Sequence, residues 1–100
     1  MGKRILESAI ERELVRRVVA LGGLCEKVAV IGQRGFFDRL VVLPGARIIF
    51  VECKRPRGGV VSPHQRRYHA AFAARGATVA VVRTVDDIDR LLSHAKLPFP

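Results

Sequence analysis

The chain has 100 residues, nearly half of them apolar, a length that accommodates one domain with a single core and therefore one functional site. No apolar run approaches the roughly 20 residues that cross a membrane, which argues against a membrane protein. The formal net charge of +9 predicts a surface that attracts polyanions, with nucleic acid as the first candidate partner and a merely basic protein as the alternative.

The N-terminal segment and the cysteines indicate the cellular compartment. Glutamates at positions 7, 11 and 13 interrupt any apolar export signal, so we expect a cytoplasmic protein. Cys25 and Cys53 are too few for a disulfide framework and form no Cys-x-x-Cys pair, so we interpret both as reduced and buried.

In chain order, apolar residues at helical spacing predict a first helix over Lys3–Leu21, which Gly22-Gly23 ends. Stretches rich in β-branched residues then predict strands over residues 24–31, 37–43 and 47–54. The sequence Pro44-Gly45-Ala46 is typical of a turn, so the second and third strands are predicted to form a hairpin.

After the hairpin, Arg55–Gly59 is interpreted as a mobile basic loop. Ser62 as N-cap, Pro63 at the first position and Gln65 as capping-box partner predict a second helix that ends at Gly76. A fourth strand is expected over residues 77–83 and a last helix opens at Thr84, while residues 97–100 are expected to be irregular. The order predicts an α/β fold with a mixed sheet of about four strands flanked by helices, the last two strands pairing in parallel.

The hairpin brings chemistry-bearing residues together. A symmetric three-residue loop gives facing pairs Leu43–Arg47, Val41–Ile49 and Asp38–Glu52. Two carboxylates opposed in this way destabilise a strand pair unless a cation lies between them. Because side chains alternate along a strand, Glu52 and Lys54 share one face and Cys53 points to the other.

Such a cluster favours Mg²⁺ or Mn²⁺ over zinc, because its ligands are hard oxygen atoms. Asp38 and Glu52 would hold the metal, and the backbone carbonyl of Cys53 could add a ligand. Lys54 could orient an attacking water, accept its proton or stabilise charge on a phosphodiester. An exposed ion pair on a strand face is the alternative interpretation of the Glu-x-Lys pattern.

Other residues could belong to the same site. Glu11 borders the apolar stripe of the first helix, with Glu7 as its rival and a plain surface glutamate as the alternative. His64 and His69 are interpreted as surface or DNA-proximal residues, and Tyr68 as a core residue. The arginines near the hairpin are predicted to bind DNA phosphates: Arg34, Arg39, Arg55, Arg57, Arg66 and Arg67.

Six segments, in order over nearly the whole chain, resemble the virus-type replication-repair nuclease (VRR-NUC) family of PD-(D/E)xK nucleases: Ile10–Val15, Gly22-Gly23, Gly35–Arg39, Leu43–Gly45, Val51–Lys54 and Ser62–Gln65. The resemblance implies a restriction-endonuclease-like core within residues 1–100 and a homodimer that cuts branched DNA such as four-way (Holliday) junctions in a bacterial or phage-infected cell. It also implies that Asp38 and Glu52 bind Mg²⁺ or Mn²⁺, that Lys54 is the catalytic lysine, and that Glu11, directly or through water, and Gln65 complete the site.

The sequence leaves open the effect of the residue before Asp38 and the role of Gln65. The family usually has proline before the aspartate, whereas this chain has Phe37, which bears on the rigidity of the strand entry more than on the chemistry. Gln65 has an equally good explanation as the capping partner of Ser62. The alternatives to a nuclease are a non-catalytic basic DNA-binding module and a nuclease subunit that depends on a partner.

Overall fold

The computed structural model describes residues 5–95, with side chains through residue 93. Helices and strands alternate as follows in that part of the chain: α1 Glu7–Ala20, β1 Leu24–Lys27, β2 Arg39–Leu43, β3 Arg47–Cys53, α2 Pro63–Ala74, β4 Thr78–Val82 and α3 Val85–Ala95. None of these helices is long and apolar enough to traverse a bilayer.

The strands form one mixed sheet in the order β1-β2-β3-β4. β2 is antiparallel to both β1 and β3, and β4 lies parallel to β3. Parallel neighbours need a long connection, which α2 supplies between them. The predicted mixed sheet and its parallel last pair are therefore confirmed.

The hairpin of β2 and β3 has the predicted register. Leu43 lies opposite Arg47 and Val41 opposite Ile49. The turn between them uses positive φ angles at Gly45 and Ala46, 88° and 62°. This register sets which side chains reach each face of the sheet, because the pleat repeats every two residues.

Helices cover both faces of the sheet. On one face α1 and α3 enclose the aliphatic core, in which Leu14, Val41, Ile49 and Ile88 are fully buried. Cys25 and Cys53 lie in this core as free thiols, as predicted, and burial raises the pKa of Cys25 to about 11. On the other face α2 packs against the sheet through an aromatic cluster: Phe36, Phe37, Phe50, Tyr68, His69 and Phe72.

Two predicted strand bounds are wrong, the end of the first strand and the start of the second. β1 ends at Lys27 rather than Ile31, and β2 begins at Arg39 rather than Phe37. The N–H of Val28 still donates to the carbonyl of Asp38 at 3.4 Å, and the strand pairing stops there. Ile31 is accordingly fully exposed. The predicted helix start at Lys3 and the tail over residues 97–100 lie outside the described residues.

Candidate active site

Asp38 and Glu52 meet at the open end of the hairpin. The last paired residues there are Arg39 and Val51, so Asp38 stands one residue further, beside Glu52. The Oδ2 atom of Asp38 accepts a hydrogen bond of 2.8 Å from the backbone N–H of Cys53. The predicted opposition of the two carboxylates is confirmed.

The Glu52 carboxylate is buried, with 1% of its surface exposed. Its Oε2 atom accepts a hydrogen bond of 2.7 Å from Nε2 of Gln65 and lies 3.6 Å from the ammonium of Lys54. Its Oε1 atom has no hydrogen-bond partner among residues 5–93. A buried carboxylate oxygen without a partner is destabilising, which suits a group that receives a ligand.

The pKa of Glu52 is raised to about 8, chiefly by burial. The adjoining carboxylate of Asp38 contributes to this rise, while the ammonium of Lys54 opposes it. Two neighbouring carboxylates that share a low-dielectric site cannot both ionise easily. The pair therefore holds a proton near neutral pH unless a cation takes its place.

This raised pKa makes folding stability depend on pH. An unfolded Glu52 loses its proton near pH 4.5 and the folded one near 8, so its contribution is complete below 4.5 and is lost as the pH rises to 8. In metal-free buffer, urea unfolding at pH 5 and pH 8 should show wild type losing stability relative to Glu52→Gln. Parallel profiles for the two proteins would contradict this assignment.

Lys54 completes the cluster on the same face. It follows the last residue of β3, its backbone N–H donates to the carbonyl of Val82, and its side chain is only 12% exposed. The Asp38, Glu52 and Lys54 side chains thus converge as the strand alternation predicts.

Gln65 is both the capping partner of Ser62 and a neighbour of the carboxylate pair. Its Oε1 accepts from the Ser62 backbone N–H at 2.9 Å, while the Ser62 hydroxyl accepts from the Gln65 backbone N–H at 3.1 Å, which completes the capping box. Because Oε1 is engaged in the cap, Nε2 is directed at Glu52. One amide therefore joins the start of α2 to the buried carboxylate.

Gly35 seats the loop before β2 against the start of α2. Its φ is 81°, and a methyl group there would lie 2.5 Å from Cβ of His64 and 2.9 Å from the amide nitrogen of Gln65. The approach needs the absence of a side chain.

A glycine pair in this loop allows a controlled test. Gly32 has a similar φ of 79° but open space around it. Gly32→Ala should lower the free energy of unfolding by about 1 kcal/mol, and Gly35→Ala by about 2–4 kcal/mol, because the clash adds to the φ strain. Chemical denaturation measures both, and equal losses would show that the loop does not press on α2.

The structure does not bring Glu11 to the carboxylate pair. Its Oε2 accepts a hydrogen bond of 2.7 Å from Arg39 and lies 4.0 Å from the ammonium of Lys27. Across residues 5–93, no three His, Cys, Asp or Glu side chains group closely enough to hold a metal ion, so neither Glu11 nor Glu7 extends the pair.

Arg39 is placed differently from the prediction that it contacts DNA. It neighbours Asp38, so the alternation of side chains sends it to the opposite face of the sheet, towards α1. There it pairs with Glu11 and also donates to the carbonyl of Cys25 at 3.1 Å. Arg39 thus ties α1 to two strands.

The other predicted DNA-binding arginines divide into two groups. Arg55 is half-buried and donates to the carbonyls of Arg57 and Gly58, and Arg83 donates to the carbonyl of Gly59. The loop predicted to be mobile is therefore braced by hydrogen bonds. The remaining side chains are exposed to solvent: Arg34, Arg57, Arg66 and Arg67.

His69 does not lie on the surface, which was one of the two positions predicted for it, whereas His64 is exposed. The His69 imidazole is 15% exposed and stacks on the Phe37 ring at 4.8 Å between centroids. Its Nε2 lies 4.0 Å from Oε1 of Glu52. Burial lowers the pKa of His69, and the Lys54 ammonium adds to the effect. A signal did exist in the sequence, because His69 follows Gln65 by four residues, one helical turn.

Comparisons with known proteins identify the family, although no family model matches the chain. Over 82 residues the chain is 46% identical to "Putative nuclease p44" of Acyrthosiphon pisum secondary endosymbiont phage 1. The matched region covers 82% of this chain and 87% of the phage protein. A solved structure named "VRR_NUC domain" has a TM-score of 0.83 and 40% sequence identity, and the match covers 88% of this chain and 95% of that one. With the same mixed α/β fold and this level of identity over most of both chains, the protein belongs to the VRR-NUC domain family.

Proposed function

We propose that the protein is a Mg²⁺- or Mn²⁺-dependent endodeoxyribonuclease that hydrolyses DNA phosphodiester bonds. The observation that carries the proposal is the convergence of Asp38, Glu52 and Lys54 at one end of the hairpin, with a buried oxygen on Glu52 that has no partner among the described residues. The name of the phage relative supports a nuclease.

The residues present fit a hard divalent cation. Asp38 and Glu52 offer carboxylate oxygens, and the Cys53 carbonyl at the end of β3 is a third candidate ligand. Mg²⁺ is commonly held by one or two carboxylates, with waters and substrate phosphate supplying the rest. When bound, such an ion would act as a Lewis acid and lower the pKa of water.

The protein's own groups then orient the reactants. Lys54 lies next to Glu52 with a small part of its side chain exposed, so its ammonium can contact a phosphate oxygen or the attacking water and stabilise developing negative charge. Gln65 holds Glu52 in place from α2. Glu11 and Arg39 support the hairpin from the far face.

DNA would approach over the face that carries the exposed arginines. Gly35, the neighbour of Arg34 in the chain, packs against the start of α2, Arg66 and Arg67 follow in the early part of that helix, and Arg57 extends from the braced loop. Guanidinium groups suit phosphate oxygens, so binding should weaken steeply with salt. We extend the proposal to branched DNA and a homodimer, because resolving a four-way junction requires two symmetric cuts and one chain offers one site.

The test incubates purified protein with linear, flapped and four-way-junction DNA in Mg²⁺, Mn²⁺ or chelator. We expect cleavage of branched DNA only with metal, and a dimeric mass by light scattering. Tight binding without cleavage would instead identify a DNA-binding module. Cleavage that appears only after a second protein is added would identify a partner-dependent subunit.

A further inference from the structure

The buried edge of the His69 ring faces the buried, unpartnered oxygen of Glu52. Oε1 of Glu52 and Nε2 of His69 are both shielded from solvent, both lack a hydrogen-bond partner among the described residues, and lie 4.0 Å apart. A buried polar atom left in this way destabilises the folded protein. An approach of roughly 1 Å would satisfy both, since an N–H···O bond spans about 2.9 Å.

The ring is already oriented for that contact. Phe37, which is 1% exposed, stacks on the imidazole with an angle of 10° between the planes. The stack holds the ring plane with the Nε2 atom 4.0 Å from Oε1 of Glu52.

The opposite oxygen of Glu52 is held from the same helix. Gln65 donates to Oε2 at 2.7 Å, and His69 stands one helical turn later on α2. Two donors spaced by four residues on a helix share a face. The helix thus presents one donor to each oxygen of a single carboxylate.

We propose that His69 is a positioning residue that donates a hydrogen bond from Nε2 to Oε1 of Glu52 and fixes the carboxylate plane for divalent cation binding. This inference rests on the proposed function, in which Glu52 is a metal ligand. Partners that orient a ligating carboxylate typically contribute 10–100-fold to metal affinity.

Two substitutions separate a donor from a packing role. His69→Phe keeps an aromatic ring on Phe37 and removes the donor, whereas His69→Gln keeps an N–H near the Nε2 position and removes the stack. Calorimetric titration with Mn²⁺ in the absence of DNA should show binding weakened about 10–100-fold in His69→Phe and within about threefold of wild type in His69→Gln. His69→Leu, which also lacks a donor, should behave like His69→Phe and serves where Phe is poorly tolerated.

The ranking of the variants by Mn²⁺ affinity decides the outcome. Undiminished Mn²⁺ binding by His69→Phe, or a larger loss in His69→Gln than in His69→Phe, would overturn the inference and leave the proposed nuclease in place. A wild-type protein that binds no Mn²⁺ would overturn both. Thermal unfolding of each variant shows that the titrated protein is folded.

Discussion

Lys54→Ala and Asp38→Asn are expected to lower the rate of metal-dependent DNA cleavage by about 10²–10⁴-fold while leaving DNA binding nearly unchanged. Lys54 is the one ammonium against Glu52 among the described residues, and Asp38 is the carboxylate that faces it. Asparagine at position 38 can still accept the hydrogen bond from the Cys53 N–H, so the substitution isolates the charge.

Controls of the same residue types lie elsewhere on the fold. Lys27 is 76% exposed on β1, and Asp86 is exposed in the first turn of α3. Lys27→Ala and Asp86→Ala should cut DNA at wild-type rates. Single-turnover cleavage and fluorescence anisotropy measure the two properties separately. Equal cleavage by Lys54→Ala and wild type would place the active site elsewhere.

The second large effect concerns Gln65, whose amide belongs to both the capping box and the site. Gln65→Ala should weaken Mn²⁺ binding and lower the cleavage rate by about 10–100-fold, because Glu52 loses its hydrogen bond to α2. It should also lower the free energy of unfolding by about 1 kcal/mol through loss of the cap.

Ser62→Ala separates these two contributions. It removes the hydroxyl that caps the helix and leaves the Gln65 amide present. We expect a comparable loss of stability, about 1 kcal/mol, with cleavage within about threefold of wild type. Similar activity losses in Ser62→Ala and Gln65→Ala would mean that the helix start, rather than the bond to Glu52, matters for cleavage.

The centre of the site could be predicted because it depends on local rules. A short turn fixes the hairpin register, and the period of two then places Asp38, Glu52 and Lys54 on one face. The same rule should have moved Arg39 away from the site, since it neighbours Asp38 and must point to the other face. The prediction that Arg39 contacts DNA follows from its proximity to Asp38 in the sequence and neglects the alternation of side chains along the strand.

What the sequence did not show depends on long-range packing. Residues 29–31 have strand propensity but no strand to pair with, because β2 begins too late along the chain. His69 lies on a stripe of α2 with Gln65 and Phe72, yet the spacing alone does not say that a buried carboxylate faces that stripe. Only the sheet register and the helix placement together reveal it.

The opposed orientations of Asp38 and Arg39 also protect the strand pairing. Sliding β2 by one residue against β3 would carry the Asp38 carboxylate beneath α1, into aliphatic surroundings, and take the Arg39 guanidinium away from Glu11. Burying that carboxylate, and leaving Glu11 without its guanidinium, would be unfavourable. The carboxylate proposed to serve cleavage therefore also disfavours the misaligned hairpin.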